Sequence, residues 1–175
     1  MGLARAIPFH EEPNAEHPPT YLWLLERSGA FLYREHLWED GSRDYKGTVG
    51  IFHVIGEVVL LLRFLDRLTR RLDVAETTRF RVGVAINHVK GRYLTNEKMG
   101  FPNDSTTTME PRVEVSLDAS LGEILGAREE FATNLLEEIV WQFRRQDWSR
   151  QDLDTLLRRA PQYMGPEYAL PTRET

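Results

Sequence analysis

The chain has no cysteine. That removes disulfides, thiol nucleophiles and thiolate zinc sites together, and it fits a reducing compartment. Long hydrophobic runs are also missing. Val58 to Leu62, which no other run exceeds in length, ends at Arg63, far short of the roughly 20 apolar residues that span a bilayer. The opening stretch, MGLARAIPFHEEP, lacks the apolar core of a secretory signal. A cytoplasmic protein with no membrane partner is the expectation. A basic excess is absent as well: the formal net charge is −5, whereas a general grip on nucleic acid rests on cations that displace counterions from phosphates. No G-x-S-x-G, H-E-x-x-H or D-x-D-x-D-G run occurs, which removes the common hydrolase, zinc-protease and calcium-loop signatures.

What is present describes a globular chain. Its 175 residues, 41% apolar and 28% charged, suit one domain with a core of its own. Residues 1–19 are polar and proline-bearing and read as a flexible arm or linker; residues 20–160 read as one α+β domain, and 161–175 as a loose tail. Within the domain, Tyr21–Leu25 and the alternating Phe31–Trp38 predict a β-hairpin turning near Ser28-Gly29. Apolar residues at Ile51, Val54, Val58, Leu61, Leu65, Leu68 and Leu72 predict a long helix over 48–72, wrapped by apolar side chains in its first half and wet in its second. Arg79–Val89 alternates most cleanly of all. Its small residues Gly83 and Ala85 leave room for a helix on the second face, and Lys90-Gly91 reads as a turn into a return strand at 92–95. Asn96–Pro111 is a long loop, the kind that often carries contacts. Arg112–Leu117 predicts a further strand. Ser120 with Glu123 resembles a capping box opening a helix to about Phe143, and Ser149 caps a last short helix. This order predicts a mainly antiparallel sheet of about 4–5 strands with two long helices packed on one face.

Chemistry-bearing residues are scattered. His53 and Glu57 share a helix face, and His36 and His88 lie on predicted strands, so a His/Glu enzyme site is one reading. A zinc site needs three or four ligands and no further histidine stands at helical spacing, so neither metal nor cofactor is expected. Lys46-Gly47-Thr48-Val49-Gly50 precedes the long helix but matches no phosphate-loop spacing. Charge is split along the chain. Arg63, Arg67, Arg70, Arg71, Arg79, Arg81, Lys90 and Arg92 face only Asp66, Asp73 and Glu76 in the same stretch, whereas Asp118 to Phe143 is acidic. The first set is the candidate nucleic-acid surface; the bland alternative is two solvated faces that partly neutralise each other.

The order of blocks FLYREHLWED, GIFHVIGEVVLLLRFLDRL, RFRVGVAINHVKGRYL and RVEVSL resembles a region that follows an Alba-like (Schlafen-type) DNA-binding domain in bacterial proteins. The resemblance covers residues 20–145. It implies an accessory domain of a larger prokaryotic DNA-associated protein and assigns no functional residue. A non-catalytic interaction or oligomerisation domain, with a protein partner or a second copy as its target, is the reading that the wide apolar helix and the aromatic strands favour.

Overall fold

The computed structural model describes residues 3–8, 20–25, 31–34, 47–95, 107–144 and 148–170. The chain divides into two compact units, Met1–Thr48 and Val49–Thr175, where the sequence reading has one domain from residue 20.

The first unit holds an antiparallel sheet of three strands, β1 (Leu3–Pro8), β2 (Thr20–Leu25) and β3 (Phe31–Arg34), in the order β1-β2-β3. The expected hairpin is there as β2 and β3, with Leu25 opposite Phe31 and Leu22 opposite Arg34. Its turn residues lie outside the described residues. Leu3–Pro8, inside the stretch read as a flexible arm, is instead a strand that pairs along its whole length with β2, from Leu3↔Leu25 to Pro8↔Thr20. Strand pairing is long-range, so a short segment beside prolines carries no local sign of it.

In the second unit the long helix starts later than its apolar pattern predicts. Thr48–Gly50 forms strand β4, and the helix, α1, runs Ile51–Arg71. Thr48 and Val49 are buried and β-branched, which suits a strand better than a first helical turn. At its far end α1 closes in a Schellman motif. Asp73 takes the left-handed conformation (φ 50°), its N–H reaches Arg70 O, and Val74 N–H reaches Thr69 O. Arg70 and Arg71 sit in the last turn, where the helix dipole favours cations.

β5 (Arg79–Asn87) and β7 (Arg112–Ser120) form a two-stranded antiparallel ribbon in unbroken register, Arg79 opposite Ser120 and Asn87 opposite Arg112. The return strand β6 (Tyr93–Thr95) does not pair with β5. It pairs with β4. His88 adopts a left-handed backbone (φ 58°), and the chain then reverses through Val89–Arg92 with Gly91 at φ 77° and Arg92 N–H bonded to Val89 O. The left-handed residue ends the strand and turns the chain out of the ribbon. Thus the expected single sheet of 4–5 strands is, among the described residues, a three-stranded sheet and two separate two-stranded ribbons.

The helix expected over 120–143 is broken. The capping box of Ser120 and Glu123 opens α2 (Leu121–Gly126), and α3 (Arg128–Gln142) begins after Ala127 leaves helical geometry (φ −128°, ψ 51°). α4 (Arg150–Met164) opens with a second capping box, Ser149 with Asp152, and continues through Pro161 to a 3-10 turn at Pro166–Tyr168. The expected loose tail is therefore ordered through these residues. Three long helices, not two, make the helical layer: α3 packs against β7, α4 and α1, and α1 also packs against α4. Leu135, Leu136 and Ile139 of α3, Ile51, Ile55 and Leu62 of α1, and Leu153 and Leu156 of α4 form the fully buried centre. The C-terminal segment packs tightly against Gly56 of α1. A Cβ there would lie 2.5 Å from Met164 Cε and 3.0 Å from a Tyr168 ring carbon.

Candidate interaction surface

The ribbon shows its two faces and its two edges differently. Val82 and Ile86 on β5 and Val113 and Val115 on β7 are buried, whereas Arg79, Arg81, Gly83, Ala85 and Asn87 are all exposed. The small residues Gly83 and Ala85 thus face solvent, not the helix that their size suggests. Gly83 answers a constraint within the ribbon instead, since a Cβ there would stand 2.9 Å from Val115 O. On the exposed face Arg81 and Asp118, opposite each other in the register, form a two-pronged ion pair (Nε–Oδ1 3.0 Å, NH2–Oδ2 3.0 Å). This hydrogen bonding holds the Asp118 carboxyl below the usual carboxylate range and raises the Arg81 guanidinium.

The outer edge of β7 is covered near its start, at Glu114. The side-chain amide of Gln142, the last residue of α3, donates to Glu114 O (2.9 Å) and accepts from Glu114 N–H (3.3 Å), as a neighbouring strand would. Glu114 lies opposite Ala85. In an antiparallel ladder opposite residues point their backbone groups the same way relative to the pair, both inward or both outward. Ala85 therefore points outward on β5, and with it, by the period of two, Arg79, Arg81, Gly83 and Asn87. The bond from Leu121 N–H to Thr78 O (2.8 Å) fixes the same parity at the start of the strand, where Thr78 points inward. Among the described residues no strand pairs with β5 on that outer side. β5 is a nine-residue edge with no proline or bulge in it, and among the described residues no side chain bonds its outward backbone groups as Gln142 bonds Glu114; of the devices by which edges are blunted it carries only the charge of Arg79 and Arg81.

The eight cations of the candidate nucleic-acid surface are divided among different tasks. Arg63 donates to Glu167 O (2.6 Å) and Ala169 O (3.1 Å) and clasps the C-terminal 3-10 turn onto α1. Arg70 bonds Asp66, and Arg81 bonds Asp118. Arg67, Arg71, Arg79 and Lys90 are exposed, and Arg92 is half-buried. Phe64, Arg67, Leu68, Arg70 and Arg71 line an open depression of about 550 Å³ along the second half of α1.

Of the residues considered for catalysis, His53 and Glu57 are half-buried one turn apart on α1, His88 is exposed on the turn after β5, and His36 lies outside the described residues. Lys46 lies outside them too, and Thr48–Gly50 of its glycine-bearing segment is strand β4, whose last residue, Gly50, is the N-cap from which α1 starts. Among the described residues no three His, Asp or Glu side chains gather as a metal site, and no helix is long and apolar enough to cross a membrane. Trp141 is 63% exposed on α3, whereas Trp148 is buried.

A buried charge cluster escaped the sequence reading. Asp66 Oδ1 accepts from Arg128 NH2 and from Arg70 Nε, both at 3.0 Å, and the Arg128 side chain is only 7% exposed. The pair ties α1 to the first residue of α3, and the break at Ala127 is what presents Arg128 there. Asp66 sits on what its helical position marks as the wet side, and nothing local distinguishes it from Asp73. Comparison with family models, curated proteins and solved structures returns no match to this chain.

Proposed function

We propose that this chain is a non-catalytic interaction domain that joins other folded chains by accepting a β-strand at the outer edge of β5. The observation that carries this reading is the asymmetry of the ribbon: Gln142 covers Glu114 on β7, while Arg81, Gly83 and Ala85, whose backbone groups point outward on β5, are exposed and among the described residues meet no strand. Strand addition draws affinity from such main-chain groups and specificity from alternate side chains. Three of the arginines that a phosphate-binding face would need are already engaged within the chain, which favours a protein partner over nucleic acid. The resemblance to the region behind Alba-like domains fits an accessory assembly role in a larger DNA-associated protein.

The test is hydrogen exchange at sub-micromolar protein, with and without a nine-residue alternating Thr-Val peptide as a generic strand probe. Exchange at the amides of Arg81, Gly83 and Ala85 should slow when the peptide is added, while Val82 and Val84, already bonded within the ribbon, stay unchanged. Equal exchange at all three amides with and without the peptide overturns the reading.

A further inference from the structure

We infer that the strand accepted by β5 is β5 of a second copy of this chain, running antiparallel about a two-fold axis at Gly83. The inference rests on the edge-acceptor reading and names its partner. An isologous interface needs a patch that complements itself, and β5 has that property about its central residue. With Gly83 opposite Gly83, Phe80 falls opposite the second copy's Ile86 and Val82 opposite its Val84, so the inner face stays apolar across the junction. On the outer face Arg79 meets Asn87 and Arg81 meets Ala85, so no cation stands opposite a cation. A two-fold at Arg81 would oppose two arginines directly, and like charges in opposite positions destabilise a sheet. A two-fold at Ala85 would run the strand into the left-handed His88, where the extended conformation ends.

The Gly83 register therefore uses the full Arg79–Asn87 strand, and its outward groups would exchange about ten main-chain hydrogen bonds. The product is a continuous four-stranded antiparallel sheet, β7-β5-β5-β7, whose two outer edges are the ones that Gln142 covers. Phe80 and Val84, the inward residues of β5 that remain half-buried in one chain, lie at the junction and gain cover from the second copy.

The experiment is sedimentation velocity on the full chain across 1–100 µM, with two variants. Ala85→Pro removes an N–H that points away from β7, so the ribbon keeps its own ladder while the junction loses a bond on each side. Ala85→Lys places a cation opposite Arg81 of the second copy at a position exposed in the single chain. Wild type is expected as a dimer, and both variants as monomers whose far-UV circular dichroism matches wild type; at least a tenfold rise in the dimer dissociation constant is the threshold. A dimer that both variants leave intact overturns the inference, as does a wild type that is monomeric throughout. In either case the edge-acceptor reading is judged separately by the peptide. A monomer whose Arg81, Gly83 and Ala85 amides are already protected identifies another strand of the same chain as the occupant and also overturns the inference.

Discussion

Replacing Arg128 with methionine isolates the charge that holds α1 and α3 together. The substitution keeps most of the side-chain length and removes the guanidinium from Asp66, whose own side chain is only 11% exposed. Stripping one partner from a buried ion pair costs about 3–5 kcal/mol, because the remaining charge stays desolvated without compensation. Asp66 keeps one cation, Arg70 at 3.0 Å, but that side chain is 54% exposed, and its charge is screened by water. The expected loss is therefore below the full range, about 2–4 kcal/mol, or a fall in melting temperature of roughly 10 °C for a unit of this size. Urea denaturation followed by far-UV circular dichroism measures it. The double variant Asp66→Asn, Arg128→Met removes both charges, and it should be more stable than Arg128→Met alone, with a coupling between the two sites above roughly 1 kcal/mol. A loss under about 0.5 kcal/mol for Arg128→Met, or strict additivity of the two changes, would show that the cluster does not behave as a buried pair.

Three further outcomes concern the helix starts and the covered edge. Ser149→Ala removes the hydroxyl that accepts Asp152 N–H and should cost about 1 kcal/mol in thermal or urea unfolding. The same box sets a pH dependence. Hydrogen bonds from the Ser149 hydroxyl and backbone hold the Asp152 carboxyl below its ordinary value, as those from Ser120 do for Glu123. The unfolded chain then binds protons more readily, so this stabilisation is complete above the ordinary carboxylate pKa of about 4 and is lost as pH falls through the lower folded values. Melting temperatures recorded from pH 6 to pH 2 should fall less steeply for Ser149→Ala than for wild type at the acid end; parallel curves would refute this. For Gln142→Ala, hydrogen exchange at Glu114 should accelerate, with Val115, bonded inward to β5, unaffected. An unchanged Glu114 amide would mean that the Gln142 contact does not protect the edge.

Local signals in this chain are strong and its long-range pairings are silent. The stripe through Ile51, Val58 and Leu65 finds α1. The alternation of Phe80, Val82, Val84 and Ile86 finds β5 to within two residues, and Ser120 with Glu123 finds the start of α2. Each is a pattern that a few neighbouring residues complete. Tyr93–Thr95 shows the opposite case. Its position after Lys90-Gly91 favours a hairpin with β5, yet His88 in the left-handed region turns the chain toward β4, more than forty positions earlier in sequence. Gly126-Ala127 shows a third. An amphipathic pattern runs on across it, yet the helix breaks at Ala127, and α3 starts with Arg128 paired to the distant carboxylate of Asp66. The candidate edge was half legible: the nine residues of β5 stand out, but which of its sides lies open depends on Gln142 finding Glu114 across 28 positions.

That dependence is also the reason to treat the open edge as functional. A two-stranded ribbon has two outer sides, and both expose main-chain donors and acceptors that invite another strand. In this chain a side chain from α3 covers one of them at Glu114, opposite Ala85. Had the ribbon needed only protection from association, proline or a bulge on β5 would serve as well. β5 instead keeps an unbroken register over its whole length, and its arginine nearest the centre is drawn sideways to Asp118 on its own ribbon. Arg81 thereby leans away from the outer side of β5 and leaves the small residues Gly83 and Ala85 at the centre of the approach. The protected edge and the accessible one are best understood together: covering β7 confines strand addition to β5, so that growth of the sheet stops after one partner and a closed dimer, not an open-ended stack, is the assembly the ribbon permits.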